Sequence, residues 1–189
     1  MISSQKAYSM LGNDTLWAVA NRCNQILTTA SIPYSICGGV AVCLHGYQRN
    51  TTDLDLVIRR EDTQAILDLL SKAGFRWDAE LAEFQTSDGI AIPFLIAGDK
   101  AGKDSQALIA EPQGELNVEE REGLRVVRLS RLIEMKIACG SSSLRRTHKD
   151  FADVVELIAI RKLDGSFARF LHPSFRETFR QLVRNANEG

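Results

Sequence analysis

The chain has 189 residues, 44% of them hydrophobic and 25% charged, with a formal net charge of -1. That composition suits one folded unit with a real core and excludes a disordered chain. No apolar run approaches the roughly 20 residues that a membrane-spanning helix needs.

The opening segment, MISSQKAYSM, has no basic stretch followed by an apolar one, so no signal peptide is expected. The next segment predicts a helix over Leu16 to Thr28, with Leu16, Val19, Ala20, Cys23 and Leu27 near helical spacing and Asp14 placed to cap it. Pro33 breaks the chain, and Tyr34 to Cys37 reads as a strand. Gly38-Gly39 follows, then a short helix over Val40 to His45. Leu54 to Ile58 reads as a strand, Asp62 to Ala73 as an amphipathic helix closed by Gly74. Phe75–Trp77, Ala82–Thr86 and Ile90–Ala97 read as strands, the last two joined as a hairpin through Ser87-Asp88-Gly89. Residues 99–124 are polar and read as loop with a short helical piece around Ala107. Val126–Val127 suggests a small strand. Helices are expected over Leu129 to Cys139, Thr147 to Lys162 and Pro173 to Asn185. The expected class is α/β (α+β): a mixed sheet flanked by helices over residues 1–104, and a mainly helical C-terminal part over 105–189, packed into one unit.

Charge is unevenly spread. Residues 53–120 hold 15 acids and 6 bases, whereas residues 121–149 hold 8 bases and 2 acids. The first span suits a metal and the second suits phosphates, though a solvated face explains many such runs. Cys23, Cys37, Cys43 and Cys139 form no zinc-type spacing and read as reduced core thiols of a cytoplasmic protein. His45, His148 and His172 are scattered.

The segment with the clearest chemistry is CGGVAVCLHGYQRNTTDLDLVI. Glycines between a strand and a helix let backbone N–H groups approach a phosphate. In extended chain, Asp53 and Asp55 present both carboxylates on one face, with Cα atoms roughly 6.5–7 Å apart. Oxygen ligands so spaced suit Mg²⁺. Arg49 is placed to clamp a phosphate. Further on, Lys136 falls inside the apolar stripe Leu129, Leu132, Ile133, Ile137. A lysine there snorkels or meets an anion, either a triphosphate or Asp150. Asp150 and Asp153 share a helix face and are placed to pair with Lys136, or with Arg145 and Arg146, and so join two helices.

The Gly-Gly turn and the acid-x-acid strand resemble the nucleotidyltransferase superfamily that includes DNA polymerase β. Lys136, Arg145–Arg146 and Lys149-Asp150-x-x-Asp153 resemble its small bacterial AbiEii-type toxin branch. The resemblance covers roughly residues 30–160. It implies transfer of a nucleoside monophosphate from an NTP to an acceptor hydroxyl with release of pyrophosphate. It implies metal on Asp53 and Asp55, Mg²⁺ or Mn²⁺, and a triphosphate on Gly38 and Gly39, with Arg49, Thr51 and Lys136 beside it. The acceptor is open among RNA, protein and a small molecule such as an antibiotic; a cognate antitoxin follows from the toxin analogy, and no membrane partner is expected. The superfamily also implies a third acid, the general base, within the run IAIPFLIA. Pro93 stands there, with Asp88 and Asp99 at the ends of the run and Glu83 on the preceding strand. The alternative reading is therefore a catalytically impaired relative that binds nucleotide or a partner protein.

Overall fold

The computed structural model describes residues 14–142 and 144–187. Arg145 and the Asp14 cap lie outside the residues whose side chains are described. In chain order the elements are α1 (Asp14–Thr29), β1 (Tyr34–Ile36), α2 (Gly38–Leu44), β2 (Leu56–Ile58), α3 (Thr63–Lys72), β3 (Arg76–Asp78), β4 (Glu83–Gln85), β5 (Ala91–Ile96), β6 (Val118–Arg121), β7 (Leu124–Val127), α4 (Leu129–Ser142), α5 (Leu144–Arg161) and α6 (Arg176–Asn187). Short 3₁₀ turns at Arg60–Asp62, Gly165–Phe170 and Pro173–Phe175 punctuate them.

The strands form one mixed seven-stranded sheet in the order β3-β4-β5-β2-β1-β7-β6. β2 pairs antiparallel with β1 and parallel with β5, and β1 pairs parallel with β7. The central strands β1 and β2 are fully buried, as their Tyr-Ser-Ile and Leu-Val-Ile runs require. Toward one edge, Trp77, Phe84 and Phe94 pack ring against ring with centroids 5.1–6.0 Å apart. α1 lays Leu16, Ala20, Cys23 and Leu27 into the core. At the other end α4 packs on α5 and α5 on α6.

Two expectations change. No helix forms around Ala107. Instead Lys100 bridges to Leu108, and Ala101 N–H donates to the Ala107 carbonyl. Within the span read as loop, Val118–Arg121 forms strand β6 beside β7. Its sequence, Val-Glu-Glu-Arg, shows no apolar alternation, because an edge strand buries neither face fully. The sheet thus takes two strands from the part after residue 104.

His45 ends α2 and is fully buried. Its Nε2 lies 2.8 Å from the Val127 carbonyl, which can only accept, so the ring carries its proton on Nε2. Among the described residues Nδ1 has no hydrogen-bond partner, and it faces Glu119 at 3.7 Å. Burial, the largest influence, lowers the His45 pKa from 6.5 to about 4. The unfolded chain therefore takes up this proton near pH 6.5 and the folded chain only near pH 4. Stability should fall as pH drops through that window, by on the order of 2–3 kcal/mol. Urea unfolding at pH 7 and pH 4.5 measures the loss. His45→Gln, which keeps an N–H for Val127 but does not titrate, should show a smaller difference between the two pH values; an equal difference would assign the loss to other groups.

Candidate active site

A cavity of about 540 Å³ opens on the sheet between the start of β2 and the helix pair α4–α5. Its floor carries Gly38, Gly39, Arg49, Thr51, Asp53 and Asp55. Its roof carries Lys136 from α4, and Arg146, Lys149 and Asp150 from α5. Groups nearly a hundred residues apart in sequence thus face one space.

The glycines are required by close packing. Gly38 sits at φ +60°, and a Cβ there would lie 1.8 Å from Asp55 Oδ2. A Cβ on Gly39 would lie 2.3 Å from Thr51 Oγ1. The acid-bearing segment is therefore pressed onto the first turn of α2, in space that any side chain would fill. The Cys37 N–H, donating to the Asp55 carbonyl at 2.9 Å, ties the two segments together.

Asp53 and Asp55 do not lie in a regular strand, because β2 begins at Leu56. Pro93 explains the shortening. The Leu54 N–H donates to the Ala91 carbonyl, and the Ala97 N–H donates to the Ile58 carbonyl, so odd-numbered residues of β5 turn their backbone groups toward β2. Pro93 has no N–H to give there. The segment stays extended nonetheless. Asp53 bridges Ala91 in the parallel sense, and both carboxylates stay on one face.

Burial pushes the Asp55 carboxyl above its usual range; Lys136 pulls it down, and Asp53 pushes it further up. Two acids set close together in a partly desolvated wall are the electrostatic condition that a hard divalent cation relieves, so the pair fits such an ion. Among the described residues there is no group of three or more His, Cys, Asp or Glu that could hold a metal.

Lys136 meets both aspartates of α5, with Nζ 2.7 Å from Asp150 Oδ1 and 2.8 Å from Asp153 Oδ2. Burial works to lower its pKa, but Asp153 and Asp150 outweigh that and raise it, so the ammonium stays charged. Arg49 grips Asp153 with two parallel bonds, Nε to Oδ1 at 2.6 Å and Nη2 to Oδ2 at 2.9 Å. Its guanidinium is thus committed to α5 while still lining the cavity. Asp150 Oδ2 is buried with no hydrogen-bond partner among the described residues. Arg146 and Lys149 are exposed at the mouth.

The sequence reading overlooked part of the lining: Cys37, Leu95, Leu132, Met135 and Cys139. Four positions of α4, Leu132, Met135, Lys136 and Cys139, fall on one helical stripe, which was the available signal. Burial raises the pKa of both the Cys37 and Cys139 thiols, so neither is an activated nucleophile.

A mixed sheet with a glycine turn, paired acids and a charged helical roof defines a nucleotidyltransferase. Residues 20–150 match the aminoglycoside-2''-adenylyltransferase family, and the chain belongs to that family. Among solved structures, ANT(2'')-Ia in complex with adenylyl-2''-tobramycin superposes with a TM-score of 0.57 at 12% identity, over 92% of this chain and 99% of that one. The solution structure of the antibiotic-resistance factor ANT(2'')-Ia gives 0.55 at 12% identity, over 92% and 94%. JHP933 from Helicobacter pylori gives 0.51 at 19% identity, over 89% and 74%. At such identities the likeness shows a shared fold. No curated protein matches in sequence. The family and fold support the superfamily reached from the glycine turn and the acid pair, and with it transfer of a nucleoside monophosphate in general. Among the described residues, no helix is long and apolar enough to cross a membrane.

Lys136→Met should leave two buried carboxylates short of a cation and lower unfolding free energy by about 3–5 kcal/mol. Chemical denaturation measures it, and a loss below about 1 kcal/mol would mean that solvent already screens the pair. Gly38→Ala should lower stability by about 1–3 kcal/mol through the φ +60° strain and displacement of Asp55. A crystal structure of that variant with Asp55 unmoved would contradict this.

Proposed function

We propose that the chain transfers an adenylyl group from ATP to a hydroxyl of a small, polycationic, aminoglycoside-type acceptor, releasing pyrophosphate. One observation carries this reading: the glycine turn, Asp53, Asp55 and the Lys136 roof share one cavity. On this reading Asp53 and Asp55 hold the divalent metal, Mg²⁺ or Mn²⁺. That ion, when bound, neutralises charge on the reacting phosphates. Gly38 and Gly39 keep the floor low enough for the triphosphate to approach, and Thr51 lies beside them. Arg146 and Lys149, exposed at the mouth, would meet phosphate oxygens as cations. Lys136 and Arg49, held by Asp150 and Asp153, fix the cavity's roof. The rate would come from positioning and charge neutralisation in a partly desolvated space.

The small-molecule acceptor rests on family membership. The excess of acid over residues 53–120 fits a polycationic acceptor as well. The four free cysteines, three of them buried, fit a reducing cytoplasm. A toxin-type role with an antitoxin is a different acceptor reading, supported by the likeness of the Lys136 and Lys149-Asp150-x-x-Asp153 segments alone.

The test is incubation with α-labelled ATP, Mg²⁺ and tobramycin, beside arms with total RNA and total protein. Label should pass to the aminoglycoside, and the Asp53→Asn/Asp55→Asn variant should lose at least about 10²-fold in rate. Label on RNA or protein would move the acceptor to the toxin-type class. Equal labelling by the variant would remove the two acids from the reaction.

A further inference from the structure

We propose that Glu83 is the general base that takes the proton of the acceptor hydroxyl, an inference that rests on the transfer reading above. The sheet register carries it. Leu56 lies beside Phe94 and Asp53 beside Ala91 in the parallel β2–β5 pairing, so Asp55 lies beside Pro93. Across the antiparallel β4–β5 pairing, Glu83 lies directly opposite Pro93. Asp55, Pro93 and Glu83 therefore form one transverse row across three adjacent strands, with side chains on the same face.

That face is the cavity's. Leu95, two residues after Pro93, lines the cavity together with Asp53 and Asp55. The alternate residues of the same strands, Phe84 and Phe94, point the other way and pack with Trp77. Two strand spacings put the Asp55 and Glu83 Cα atoms about 9.6 Å apart. The residue between them is a half-buried proline, whose side chain has no polar group to take a proton. Glu83 itself does not line the cavity, but a glutamate is one methylene longer than an aspartate, so from the next strand it is long enough to extend along this row toward Asp55.

Glu83 is also available. It is half-buried, and its Oε1 accepts from the Gln85 amide at 3.3 Å. No basic side chain forms an ion pair with it among the described residues. The other nearby acids are placed differently. Asp78, next along the same row, accepts the Glu80 and Leu81 N–H groups. Asp99 lies past the far end of β5 and pairs with Arg60 at 2.5 Å. Asp88 is exposed in the β4–β5 turn.

In the step, the acceptor O–H bond breaks and its proton passes to the Glu83 carboxylate. The acceptor oxygen forms a bond to the α-phosphorus of ATP. The bond from that phosphorus to the bridging oxygen of the β-phosphate breaks, and pyrophosphate leaves with the electron pair.

The experiment compares native protein, Glu83→Gln and Glu83→Gln/Pro93→Asp in tobramycin adenylylation with α-labelled ATP, and measures Mg-ATP affinity of each by calorimetry. Glu83→Gln should lower kcat about 10²-fold, with KM for ATP and Mg-ATP affinity within about twofold of native. Pro93→Asp in that background should restore kcat to within about tenfold of native, because it puts a carboxylate back one strand nearer Asp55. A Glu83→Gln variant that turns over within threefold of native overturns the proposal. So does a joint loss of kcat and Mg-ATP affinity, which is what a merely structural glutamate would give. Native protein that transfers nothing to tobramycin overturns the transfer reading itself, and the Glu83 assignment with it; that result is distinct from an active native protein with an active Glu83→Gln variant.

Discussion

The structure depends on a buried group of four charges, Lys136, Asp150, Asp153 and Arg49, that join α4, α5 and the segment leading to the acid pair. Two cations face two anions, so the group is neutral as a whole, and it can be buried where any one member alone could not. Lys136 and Arg146 of the roof also attract Asp55 across the cavity, but among the described residues the ion pair that bonds the acid-bearing segment to the roof is Arg49–Asp153. The lock fixes the height of the cavity, because Lys136 and Arg49 cannot move toward a ligand without exposing Asp153. It also makes these residues architectural first: they hold the site's shape.

Beneath the lock, sterics do the corresponding work on the floor. Gly38 and Gly39 leave room for Asp55 and Thr51 to sit against the first turn of α2. Asp55 is consequently half-buried beside the exposed Asp53; desolvation and that neighbouring charge raise its pKa and leave negative potential in the wall. Pro93 shapes the neighbouring wall by a different route. It withholds one N–H from the β2–β5 ladder, shortens β2 and sets an apolar residue between Asp55 and the strand that carries Glu83.

Much of this was legible in the chain. Period-3.6 and period-2 patterns located α1, α3, α4, α5 and most strands, because those elements bury one face each. The Gly-Gly turn and Asp-x-Asp spacing pointed to the floor of the site, and the lysine inside an apolar stripe pointed to its roof. Strand β6 was not legible, since Val118–Arg121 is polar and gains its strand from pairing with β7 alone. The role of Arg49 was also hidden. A guanidinium beside an acid pair suggests a phosphate clamp, and only the approach of α5 shows that Asp153 holds it. The pocket-facing thiol of Cys37 gave no signal, because a cysteine beside a buried strand reads as core; Cys139 shared only the helical stripe of Lys136.

The sequence by itself determined which residues carry chemistry, because glycine, aspartate and a lysine among apolar neighbours each impose a local physical demand. It determined the alternation that keeps Asp53 and Asp55 on one face, because side-chain direction in extended chain has a period of two. The tertiary structure alone decided which of these groups meet. Arg49 and Asp153 are 104 residues apart, and Glu83 reaches the level of Asp55 only through the register of two strand pairings. Such contacts depend on how elements stack and on where each ladder begins, and no local pattern encodes either.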